Sequence, residues 1–84
     1  MNKFYKTNLE EQETIINVDH FNKNAHCYTS RYATYNRLIK KLGEPNKTYY
    51  TDKKISGASW IVPLSDKKKI AVIFSRTIIL GNIK

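Results

Sequence analysis

The hydrophobic pattern of this chain changes period at Ser30. Before it, β-branched and small residues come in two short bursts, Thr14 to Val18 and Ala25 to Thr29, around the polar Asn22-Lys23-Asn24. Asparagine tolerates positive φ, so this pattern predicts two antiparallel strands joined by a tight hairpin. After it, Tyr35, Leu38, Ile39 and Leu42 fall at i, i+3, i+4 and i+7, which is one face of an α-helix. Ser30 is placed to cap the first free N–H groups. Gly43 suits the left-handed position that ends a helix, and Pro45 forbids continuation. Arg31, Thr34, Arg37 and Lys41 fall towards the opposite face, with Lys40 at its border.

Beyond the helix, "KTYYTDKK" predicts a strand, Ser56-Gly57 a turn or bulge, and "ASWIVP" a further strand closing at Pro63. Within a strand Tyr49 and Tyr50 must place one ring on each face, one in the core and the other exposed or under the helix. Trp60, alternating with Val62, is predicted to be core. The segment from Leu64 admits two readings. Ser65 or Asp66 could cap a short helix with Ile70, Ile73 and Phe74 on one side, or Lys69 to Ser75 could be a strand. Its β-branched content favours the strand. Residues 1–12 are polar without a period and read as a flexible lead-in to a single domain over 13–84. The expected class is α+β: a small antiparallel β-sheet (β-hairpin, helix, then two or three strands) with one amphipathic helix packed on one face.

Length bounds this picture. A chain of 84 residues has room for one core and buries roughly 60% of its unfolded surface. Cys27 is alone, so no internal disulfide forms. No N-terminal run resembles a signal peptide, and "IAVIF" and "IIL" are too short to span a bilayer, so the expected setting is cytosolic, away from membranes.

Charge changes the picture more. Net charge is +8, and it is uneven. Residues 1–30 carry −1, whereas residues 31–84 set twelve Lys or Arg against Glu44, Asp52 and Asp66, a net of +9. Such an imbalance attracts polyanions over about 8 Å in physiological salt. The cations group as Arg31, Arg37, Lys40 and Lys41 on the helix, Lys53-Lys54 in a turn, Lys67-Lys68-Lys69 in another, and Arg76 after the last apolar run. Tyr28, Tyr32, Tyr35, Tyr49, Tyr50 and Trp60 interleave with them, and exposed aromatics beside cations stack bases or anchor protein interfaces. Tyr32 joins the cations as a candidate contact. A solvated lysine-rich surface is the competing explanation for each lysine taken singly.

Catalytic patterns are missing. There is no Gly-rich phosphate loop, nucleophile elbow or His-Glu pair at helical spacing. Cys27 and His26 are strand neighbours and point to opposite faces, so they form no thiolate–imidazolium couple. Cys27 reads as a small buried thiol. His20 and His26, on paired strands, could face each other, but two histidines and one cysteine make a weak zinc signal. No enzyme, cofactor or metal is expected. The RNP motifs, the GxxG loop and zinc-finger spacings are likewise missing.

The run "ETIINVDHFNKNAHCYTSRYATYNRLIKKL", with the later "SWIVP", resembles a loose group of small proteins of Firmicutes phages and mobile elements. The positions that carry the likeness are Glu13, Thr14, Ile16, Asp19, Ala25, Tyr28, Thr29, Ser30, Leu38, Leu42, Trp60 and Pro63, and the tail from Leu64 departs from it. The group brings no chemistry, only a genomic setting. That setting implies an anti-defence factor, similar in size to anti-CRISPR proteins, but too basic to mimic nucleic acid. The expected partner is a bacterial defence protein or its guide RNA or DNA complex. The alternative is a small basic DNA- or RNA-binding accessory protein, with affinity that falls by a log–log slope near −0.9 per phosphate contacted.

Overall fold

The chain is described here by a computed structural model covering residue 4, residues 12–75 and residue 78. Six elements follow in order: β1 (Thr14–Asp19), β2 (Asn24–Thr29), α1 (Tyr32–Leu42), β3 (Lys47–Thr51), β4 (Lys54–Pro63) and α2 (Lys67–Ile73). The strands form one antiparallel sheet in the order β1-β2-β4-β3, and the expected α+β class is what is found.

The sheet has one covered and one open face. Cross-strand partners share a face, and Ile16, Cys27 and Trp60 form one row of partners, with Val18, Ala25 and Val62 in the next. Cys27, Ala25, Ala58, Trp60 and Val62 are buried under both helices, where they meet Leu38 of α1, Ile73 of α2 and Ile78. Tyr35, Ile39 and Leu42 pack around this core, as their spacing predicts. The Trp60 indole N–H donates to the Gly43 carbonyl at 3.0 Å, tying the sheet to the end of α1. Ile15, His26 and Ile61 lie on the open face with their side chains exposed.

Several local expectations change. The hairpin forms, but its loop is His20–Lys23 and its positive φ (58°) falls on Lys23, not on an asparagine. Asn22 instead donates twice to the Asp19 carboxylate, at 3.0 Å from its backbone and 2.8 Å from its amide. His20 sits in that turn and His26 pairs across from Asn17, so the two histidines do not face each other.

Ser30 does not cap α1. The N-cap residue is Arg31, without a side-chain cap. The Ser30 hydroxyl accepts from the Glu13 N–H at 3.0 Å, and the fully buried Thr29 hydroxyl accepts from the Arg31 N–H at 3.1 Å while contacting Thr14 Oγ1 at 2.9 Å. These hydroxyls fasten the β2–α1 corner to the start of β1. Thr34, which the helical period had placed outside, is buried as well.

The chain turns at Asp52-Lys53, where φ is 51° and 65°, so "KTYYTDKK" is not one strand. Of the turn or bulge expected at Ser56-Gly57, the bulge is found: Tyr49 pairs with Gly57 and Tyr50 with Ile55, which leaves Ser56 as the extra residue of β4. Gly57 serves a different purpose: a Cβ there would sit 2.7 Å from the Tyr28 hydroxyl, so the tyrosine ring crosses the strand only because no side chain is present. Both Tyr49 and Tyr50 are exposed, and neither ring enters the core.

The segment favoured as a strand, Lys69 to Ser75, is helical: α2 spans Lys67–Ile73, with Asp66 accepting from the Lys69 N–H at 3.2 Å. Helical spacing turns Ile70 and Ile73 into the core together, whereas a strand would have sent alternate residues to water. Phe74, expected on that side, stays exposed at the helix end. The sheet face is thus covered by two helices, not one. Within the lead-in, Phe4 bridges to Ile55, and its ring lies 5.3 and 5.1 Å from those of Tyr32 and Tyr35. No described helix is long and apolar enough to cross a membrane.

Candidate partner-binding surface

The topology divides the candidate cations. α1 leaves the corner where β2 ends, and α2 starts beyond the other end of the sheet, after Pro63. The two helices pack side by side. Arg37, Lys40 and Lys41 on α1 and Lys67, Lys68 and Lys69 on α2 are all exposed on this helical side. Arg37 and Lys41 line a shared hollow with Ala71, Val72, Ser75 and Ile78. Among the described residues, neither Arg37 nor Lys41 has an acidic partner.

Lys53 and Lys54 do not join them. They occupy the β3–β4 turn, and β4, ten residues long, separates that turn from Pro63 by about 30 Å. Arg31 is drawn into structure instead: it is half-buried, and its guanidinium Nη1 donates to Thr34 Oγ1 at 3.3 Å. Tyr32 is exposed but leans on Phe4. Arg76 lies outside the described residues.

The tyrosines also separate. Tyr28 and Tyr49 meet edge to face at 5.6 Å on the open sheet face, where Lys47 Nζ sits 5.2 Å from the Tyr49 ring centre. Tyr35 is wedged between Phe4 and Trp60 on the covered side. Burial, then the nearby Glu44 and tyrosines, pushes the Tyr35 phenol above its usual value, so it stays neutral. It serves as packing and offers no stacking platform.

Sequence reasoning missed two parts of the surface. The backbone of Lys23 meets the connection between β4 and α2, its carbonyl accepting from the Leu64 N–H at 2.9 Å. The hollow's second wall was missed because it exists only if residues 67–73 are helical.

Burial pushes the Cys27 thiol up to about 11, and no three His, Cys, Asp or Glu among the described residues could hold a metal. Compared with protein families, with curated proteins and with solved structures, the chain finds no match.

Proposed function

We propose that this is a non-enzymatic protein that acts in the bacterial cytoplasm and inhibits a defence nucleoprotein of the CRISPR-Cas type by docking its basic helical side onto it. The observation that carries the reading is the exposed Arg37–Lys41 pair on the same helical side as Lys67–Lys69 at the start of α2, without acidic partners for the pair among the described residues. The phage and mobile-element resemblance supplies the setting, and the charge sign supplies the mode. A basic surface grips an acidic face of the effector, or the guide strand it holds, where an acidic inhibitor would mimic the strand. Simple nucleic-acid binding is the second reading, favoured by the three consecutive lysines at the start of α2.

The test is an affinity pull-down from bacterial lysate with and without nuclease. A defined protein complex that survives nuclease supports the inhibitor, and bulk RNA or DNA lost on nuclease supports the second reading. The folded double variant Arg37→Glu with Lys41→Glu is expected to lose capture. Both side chains are exposed, so the circular dichroism spectrum should be unchanged. Capture by the folded variant at the original level retires this surface.

A further inference from the structure

The hollow between α1 and α2 holds about 340 Å³, at the lower end of ligand-pocket sizes, and has two chemically distinct parts. Its aliphatic side comes from Ala71, Val72 and Ile78, with Ser75 beside them, and its other wall presents Arg37 and Lys41. Four residues apart on a helix, the two cations stand one above the other on one face. Like charges at that spacing repel, and no described acid relieves them, so an anionic ligand would remove a cost already present in the fold.

We infer that this hollow seats an acidic amphipathic helix of a partner protein. An aliphatic side chain of that helix fills the space over Val72 and Ile78, and a neighbouring Asp or Glu meets Arg37 and Lys41. Recognition of this kind uses anchors one turn apart, which is the spacing the two cations offer. A phosphodiester backbone fits less well, because its phosphates would satisfy the cations and leave the aliphatic surface wet. The inference rests on the reading above that the helical side is the partner-binding surface, and it narrows that partner to protein.

The test is an NMR titration of the isotopically labelled full chain with three probes: a helical peptide carrying Leu and Glu at i/i+4 spacing, the same peptide with Gln for Glu, and a single-stranded DNA oligomer. The acidic peptide should saturate and shift the amides of Arg37, Lys41, Ala71, Val72 and Ile78. The Gln peptide should bind at least about tenfold more weakly, as one lost charge-assisted contact requires. Ala71→Gln, at an exposed helical position, blocks the aliphatic side while keeping both cations. It should weaken the acidic peptide similarly and leave DNA affinity unchanged. Undiminished peptide affinity in Ala71→Gln, or tighter binding of DNA than of peptide at these amides, overturns the acidic-helix partner. If the Arg37→Glu/Lys41→Glu variant still loses lysate capture in that event, the basic surface stands and only its ligand class falls.

Discussion

Cys27 shows what burial does to a single side chain. It is fully enclosed between Ile16 and Trp60, its partners on β1 and β4, and among the described residues no cation lies in the buried core to stabilise a thiolate. The thiol therefore ionises near 11, where an exposed one would ionise near 9.0. Two outcomes follow from the sign. At pH 8 the folded chain should resist thiol alkylation and react only once denatured, because the thiolate is the nucleophile. The unfolded thiol ionises first as pH rises, so this group's contribution to stability is complete below pH 9 and is lost as pH rises through about 11. Urea unfolding of the native chain and of Cys27→Ala at pH 7 and pH 10 checks this: the stability gap between them should narrow at the higher pH. A gap independent of pH would contradict the buried thiol.

At the scale of elements, the β3–β4 hairpin departs furthest from what its residues prefer. Its two turn residues, Asp52 and Lys53, both take positive φ, the type I′ arrangement that favours Asn-Gly or Asp-Gly. Lysine at φ 65° bears a left-handed penalty that glycine avoids. Lys53→Gly should therefore stabilise the fold by about 1 kcal/mol, raising the melting temperature by roughly 4–8 °C for a domain of this size. Thermal unfolding by circular dichroism reads it directly. The same turn explains why "KTYYTDKK" looked like one strand. Asp52 suits the first turn position, but Lys53 stands where a hairpin signal would have glycine, and the pairing of β3 with β4 sets the turn there. α2 is the parallel case. Its Ile-, Val- and Phe-rich stretch has strand propensity, and the Asp66 cap together with burial of Ile70 and Ile73 overrides it.

For the whole molecule, the +9 excess of residues 31–84 is no single patch. The helical side carries Arg37, Lys40, Lys41 and Lys67–Lys69, and Lys53-Lys54 stand apart from the start of α2 by about the length of β4. That distance is several times the screening length in physiological salt. Reversing Lys53→Glu with Lys54→Glu should leave partner capture within about twofold, against the loss expected for Arg37→Glu with Lys41→Glu, since remote exposed charges couple weakly. Equal losses from both pairs, measured in one pull-down, would mean that net charge and not this surface drives binding.

What the sequence determined by itself was local. The hairpin, the helix with its apolar face and glycine stop, the core role of Trp60 and the basic half of the chain are each written in neighbouring residues, because φ preferences, helical periodicity and charge need no partner. The tertiary structure decided whatever depends on distant residues. Thr29 and Ser30 bond to Thr14 and Glu13 rather than capping α1, Thr34 is buried at that corner, and residues 67–73 become a helix because the covered face of the sheet needs a second cover. The candidate site falls on the same line. Its cations were legible singly, but the hollow that pairs Arg37 and Lys41 with Val72 and Ile78 exists only where two helices distant in sequence pack together.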